Sequence, residues 1–379
     1  MPNPTEVARV VARGQSYDIW TSIEVERFFG APVVSQMKLA VAEVTSASAT
    51  GAWSAIKLKP GDLAQGFLAG QLVISGKVVM RQAVYDASVH GVEITVTSHT
   101  QDLVSSTVDG APGQYKNYTW LQIAQAVAAK VGVNVRLVGN PAGATKIFPR
   151  VSEHIGETRF AFIERLARMR DLHLRDDEIG NLVAQRGTSG SSGAQLVEGQ
   201  NIKAARIVWR DDDAVDQVKV TGAQHGTDQV WGDQARDVAA TAKNPNFSGN
   251  RPLTILAEQP GDSQDMAMRA NHEIAINNTT QVDCEVTVQG WLMAGGSLWM
   301  QHVGKTMTVY SPMLIPANAI TLAVKGVVHR QSDQSGTTTT IHLCLPNGLG
   351  DPNQVSTGPP ATNVSPATPD APDVGAGPG

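Results

Sequence analysis

Residues 21–28, TSIEVERF, alternate in character: Ile23 and Val25 fall on one side, Glu24 and Glu26 on the other. Successive side chains of a strand point to opposite faces, so this period of two predicts a half-buried strand. The same period continues outward. Ser35 to Val44 alternates through Met37, Leu39 and Val41, and after Gly70 the runs LVISGKVVMRQAVYD (72–86) and GVEITVTSHTQDLV (91–104) repeat it. Short strands divided by Gly and Pro turns predict an antiparallel sandwich or barrel rather than a parallel sheet. Residues 1–108 are therefore expected to form a first β-barrel-like domain.

The pattern changes after Pro112. Thr119 with Gln122 makes a capping box, Trp120, Ile123, Ala124, Val127 and Val131 form an apolar stripe, and Gly132 closes the helix. A second helix is predicted from Glu157 to Asp171, with Phe160, Ile163, Leu166 and Ala167 inward and Glu164 paired with Arg168. Strands LHLRDD and NLVAQR follow, and GTSGSSG (187–193) reads as a flexible loop. Residues 109–200 thus predict an α+β module.

Strand signals return at Ala204–Trp209, Val215–Thr221, Gln281–Gln289, Leu298–Tyr310, Ile320–Arg330 and Thr337–Leu345. They predict a second barrel-like domain over 201–223 and 281–346. Between its parts, residues 224–280 predict an inserted loop and a helix starting at Ser263, packed with the α+β module. The class is mainly β with α+β. Residues 347–379 hold seven prolines, six glycines, three aspartates and no Lys or Arg. Such a segment cannot fold by itself and predicts an extended arm.

Composition narrows the function. The 379 residues are 41% hydrophobic and 17% charged, with a net charge of −5, which excludes a disordered chain and a protein whose main grip is on phosphates. Three of those negative charges lie in the arm, leaving the body near −2. Cys284 and Cys344 predict buried free thiols. The start, MPNPTEVARVV, has no signal-peptide pattern, and no run approaches the ~18 apolar residues of a membrane helix.

The search for catalytic constellations is negative. Gly304-Lys305-Thr306 would end a P-loop only with a glycine at 299, where Trp299 stands. Asp211-Asp212-Asp213 and Asp176-Asp177-Glu178 lack calcium-loop spacing and read as solvated turns. His272-Glu273 has no second zincin histidine and reads as a surface pair. Arg159, Arg165, Arg168 and Arg170 crowd one helix, but Glu157, Glu164 and Asp171 dilute them, so they do not predict a nucleic-acid patch. No cofactor, metal or catalytic residue is expected.

Four stretches carry a family resemblance. Trp20-Thr21-Ser22-Ile23-Glu24-Val25-Glu26-Arg27 resembles the opening strand of the baseplate hub proteins of Mu-like contractile phage tails, which are related to the hub part of type VI secretion spikes. Ser98-His99-Thr100-Gln101-Asp102-Leu103-Val104 is similar to the end of their first barrel. Residues 156–167, with Glu157, Phe162 and Leu166, resemble their central helix. Gly290-Trp291, Leu298-Trp299, Lys325-Gly326-Val327-Val328 and the segment from Gly336 to Pro346 are similar to their closing barrel.

The resemblance implies a non-catalytic homotrimer in the virion baseplate. Each chain would give two similar barrels, so that a pseudo-sixfold ring adapts the tail tube or distal tail proteins above to a threefold spike below. Wedge or baseplate proteins would lie around it, and DNA would pass through the lumen without specific binding. The rival readings are a tail-borne peptidoglycan hydrolase and a surface carbohydrate-binding module. The arm is expected to dock on the spike, with Leu349, Val355, Pro359, Pro360, Val364, Pro366 and Val374 as contacts.

Overall fold

The computed structural model describes residues 6–30, 33–42, 57–85, 90–226, 228–315 and 319–350. Seven strands build the first unit: β1 (Ala8–Ala12), β2 (Gln15–Tyr17), β3 (Ser22–Phe28), β4 (Gln36–Ala42), β5 (Leu63–Leu68), β6 (Gln71–Tyr85) and β7 (His90–Ser98). All neighbours are antiparallel, in the order β3-β4-β7-β6-β5-β1-β2. The alternation read from the sequence is the burial pattern: Ile23, Val25, Met37, Leu39, Val41, Ile94 and Val96 are all buried.

The α+β module follows. Its helices are α1 (Gln101–Ser105), α2 (Trp120–Ala129), α3 (Ala142–Thr145) and α4 (Arg159–Arg168). Strands β8 (Gln114–Thr119) and β10 (Ile147–Ser152) pair antiparallel, while β9 (Val135–Leu137) and β11 (His173–Asp176) flank β12 (Leu182–Gln185). The capping box at Thr119 and Gln122 forms as expected. Thr158 caps α4 by accepting the Ala161 N–H at 3.1 Å.

The second unit contains β13 (Ser191–Val197) and β14 (Ile202–Trp209). The chain then leaves it for an inserted layer of β15 (Gln217–Gly222), α5 (Asp233–Arg236), β16 (Val238–Lys243), β17 (Pro252–Leu256) and α6 (Ser263–Gln281). It returns as β18 (Val282–Gln289), β19 (Thr306–Tyr310), β20 (Ala319–Ser332) and β21 (Gly336–Cys344). The order is β14-β18-β21-β20-β19-β13, antiparallel except for β13 with β19.

Strand β20 joins the units. One side pairs with β21; on the other, Ala319–Ala323 pair with β19 and Gly326–Ser332 pair with β3. The result is one thirteen-stranded sheet rather than two separate barrels. No ladder closes either path among the described residues. Yet β2 and β3, at opposite ends of the first path, are linked only by residues 18–21, and β13 and β14 only by 198–201. Each link crosses five Cα–Cα steps and spans at most ~18 Å, so each path must curl to bring its ends together. A single apolar core runs through both units, including Val25, Ile94, Trp291, Val286 and Ile341.

Several expectations change. Residues 101–104, read as strand, form the start of α1, and the 187–193 loop gives way to β13 at Ser191. Strand β15, assigned to the second barrel by its alternation, pairs only with β16 and β17. Val218 and Val220 pack with Met266, Ala270 and Ile274 of α6 on the core formed by Phe162 and Leu166. The inserted layer thus begins before residue 224 and contains two further strands. Leu349 is 1% exposed in a 3-10 turn, Pro346–Leu349, packed with Phe29, Ala323 and Cys344. It belongs to the body and offers nothing to a partner; the other arm contacts, Val355, Pro359, Pro360, Val364, Pro366 and Val374, lie outside the described residues.

Two substitutions test this packing. A Cβ on Gly143 would lie 2.0 Å from the Arg170 carbonyl oxygen, a backbone atom that cannot swing aside. Gly143→Ala should therefore lower unfolding free energy by about 1–3 kcal/mol in urea melts. Leu349→Ala should cost about 2–5 kcal/mol, the range for emptying a filled core site.

Candidate functional site: the joints and the two ends of the sheet

The ladder registers give the sheet two ends. Phe28 faces Gly326, Thr97 faces Gln36 and Cys344 faces Ala323 at one end. Ser22 faces Ser332 and Ala40 at the other, near Gly336. The α+β module sits at the first, where Gly30 N–H donates to the Leu174 carbonyl. The body also ends there, since Gly350 lies against His173 and Gly187. We call these the module end and the free end.

A buried polar joint fixes the module to the first unit. Arg27 of β3 is 2% exposed and Asp176 of β11 is 1% exposed, their charges 3.5 Å apart. Ser35 donates to Asp176 from both N–H and Oγ at 2.7 Å, and Arg27 Nη2 donates to the Val73 carbonyl at 2.6 Å. Glu178 stands 3.8 Å from Arg27, and Arg136 pairs with buried Asp177 at 3.4 Å. Burial, with Arg27 and Arg136 nearby, pulls the Arg175 guanidinium down to about 10. Asp176 and Asp177 are not the solvated turn the sequence predicts, because their partners stand far away in sequence.

Beside it runs a ring stack. Phe29, His173 and His272 follow one another with centroids 6.0 and 4.3 Å apart. They come from the end of β3, from β11 and from α6, so the stack ties the first unit, the module and the inserted layer together. His272, read as a surface residue, is 4% exposed. Burial first, then Arg186, lowers His173 to about 4; burial, His173, Arg269 and Arg168 hold His272 well below the usual histidine range. Asp171, His173 and His272 bring metal-capable atoms within 4.8 Å. The ring planes lie only 25° apart, so their in-plane lone pairs do not converge, and Arg186 Nε already donates to Asp171 at 2.6 Å. The chemistry is that of a structural joint.

At the free end, Trp291 is fully buried. Its N–H donates to Glu6 at 2.7 Å and its indole to the Arg330 carbonyl at 3.2 Å. Thr339 donates to the Gly290 carbonyl at 2.6 Å and meets His329 Nδ1 at 2.7 Å. Burial, then Arg27, lowers His329 to about 3. Above this floor opens a cavity of about 1130 Å³, lined in part by Trp20, Asp18 and Asp333. At the same end of the sheet β6 and β7 run on, with Met80 and Val84 exposed by 42% and 48%.

The motif residues sit in cores, ion pairs and turns. Leu103, Phe162 and Leu166 fill the module core; Asp102 accepts from Lys77 at 2.5 Å and Glu157 from Arg165 at 2.8 Å. Trp299 is 6% exposed in the main core, and Pro346 opens the buried C-terminal turn. Gly326 has the Phe28 ring where a Cβ would be, and Gly336, at φ +67, makes the β20–β21 turn. Of the helix arginines, Arg159, Arg165 and Arg170 are buried, Arg170 against Asp265 and over the Phe148 ring, so no basic patch exists there. Asp211-Asp212-Asp213 is exposed as expected. Cys284 and Cys344 are free and buried, both thiols pushed up to about 12 by burial. No helix among the described residues is long and apolar enough to cross a membrane.

Residues 100–186, nearly the whole of the α+β module, match the family model of the baseplate hub protein gp44-like second domain. That stretch is therefore similar to a domain of gp44-like baseplate hub proteins. The baseplate hub protein gp44 of Escherichia phage Mu is 25% identical over 342 residues, covering 89% of this chain and 87% of its own. In fold, the chain is similar to the 43 kDa tail protein of prophage MuSo2 from Shewanella oneidensis, with a TM-score of 0.74, 24% identity and coverage of 91% and 99%. It is also similar to the tail protein of Neisseria meningitidis, with a TM-score of 0.73, 17% identity and coverage of 92% and 98%.

Proposed function

We propose that the chain is the structural hub of a contractile phage tail or phage-like particle, and that three copies close into a ring. The observation that carries this reading is the pair of curled sheet units sharing β20. Three chains with two units each give a wall of six, which suits a sixfold tube on one face and a threefold spike on the other. Strands β2, β13 and β14 pair on one side only among the described residues. Edges of this kind are normally covered, and neighbours around a closed ring would cover them. The role is non-catalytic, in keeping with relatives named as baseplate hub proteins. The lumen lets DNA pass without specific binding. Negative-stain averages down the ring axis should show six lobes around a hole; averages with three isolated lobes or no hole would overturn the reading. Purified protein should leave a peptidoglycan gel uncleared.

The arm docks on the spike. It starts after Gly350, at the module end, and its 29 residues could reach ~90 Å as an extended polyproline-type chain. Prolines reduce the ordering entropy of docking, and Val355, Val364 and Val374 with Pro359, Pro360 and Pro366 supply its apolar contacts. Removing residues 351–379 should leave fold and ring intact and weaken capture of the spike in a pull-down. Unchanged capture would defeat the arm's role.

A further inference from the structure

Among the described residues, the cavity at the free end is lined by three acids, Glu6, Asp18 and Asp333, and by no Lys or Arg. Trp20, Leu292 and Met293 add apolar wall. Glu6 is 7% exposed and fixed by the Trp291 N–H, so one negative charge is built into the floor, while Asp18 and Asp333 stand exposed at the rim. The indole Nε1 of Trp20 is shut away from water with no acceptor. At about 1130 Å³ the space exceeds the ~300–1,000 Å³ of small-molecule sites.

We propose that this cavity is a socket for an extended protein segment bearing a lysine or arginine, presented by the tail-tube side of the particle. The proposal rests on the ring and arm readings above. Charge complementarity selects the cation: a concave wall with one sign of charge concentrates its field on what enters. Place selects the partner. With the arm docked on the spike from the module end, as proposed above, the free end would face the tube.

Stoichiometry gives the socket its meaning. Each chain has one, between the start of β3 and the β20–β21 turn, so a ring holds three. Against a sixfold tube, every second tube subunit would enter a socket. The others would meet a different surface, and the two sheet units of one chain are not equivalent to the tube.

The test is titration of the tail-tube protein of the same particle with the full chain, with Asp18→Asn/Asp333→Asn and with Asp18→Arg/Asp333→Arg. Both residues are exposed, so their exchange leaves the fold in place. The expected results are at least tenfold weaker binding for the asparagine pair, no binding for the arginine pair, and a wild-type affinity that falls with salt. Equal affinity for all three proteins overturns the socket and leaves the ring standing. No binding by the wild-type chain overturns both the socket and the facing of this end. Native mass, read in parallel, reports on the ring alone; a smaller assembly in the variants would assign the cavity to a second copy of this chain and overturn the proposal.

Discussion

Asp176→Ala is expected to cost about 3–5 kcal/mol of unfolding free energy, the usual range for removing one partner of a buried ion pair. The loss leaves the Arg27 guanidinium, 2% exposed, without its carboxylate, and the Ser35 N–H and hydroxyl without their acceptor. Glu178→Gln should change stability by less than about 1 kcal/mol, because Glu178 is 47% exposed and its attraction to Arg27 is screened by water. Arg27→Met with Asp176→Leu should recover part of the loss, since an apolar pair has no charge left to solvate while the Ser35 N–H and hydroxyl stay without their acceptor. Urea melts of the four proteins check this; an alanine variant as stable as wild type would show that the joint does not hold the module.

Acid should loosen the protein well above the pH at which carboxylates titrate. His173 at about 4 and His329 at about 3 both lie below an unfolded histidine near 6.5. The unfolded chain therefore binds protons that the folded one refuses. The stability of both sites is complete above about pH 6.5 and is lost as pH falls toward 4. By pH 4 each site removes about 3 kcal/mol, together a large part of the 5–15 kcal/mol typical of a folded domain. His173→Phe keeps a ring in the stack and removes a titrating group, so its urea midpoint should fall less between pH 7.5 and 4.5 than that of wild type. A wild-type midpoint that does not move across this range would contradict the assignment of neutral buried rings.

What the sequence makes legible is local. The alternation of Ile23 and Val25, and of Met37, Leu39 and Val41, is visible because each apolar face is set by its own strand. The capping box at Thr119 is visible because both of its groups lie within four residues. The joining of the units is not, because the Gly326–Phe28 register is set between strands almost 300 residues apart. Asp176 and His272 look like surface residues because nothing near them in sequence reveals Arg27 or His173. Strand β15 has the same alternation in either sheet, and only the apolar face of α6 decides which one takes it. The free-end cavity was not legible, because the place of Trp20 in the opening motif gives no hint that it lines a wall shared with Asp333.

The central claim is a closed ring of three chains, and native mass spectrometry of the purified protein tests it most directly. The expected mass is three times 40.1 kDa, stable as salt is raised and lost in denaturant. A species of 40.1 kDa at micromolar concentration and low salt would contradict it.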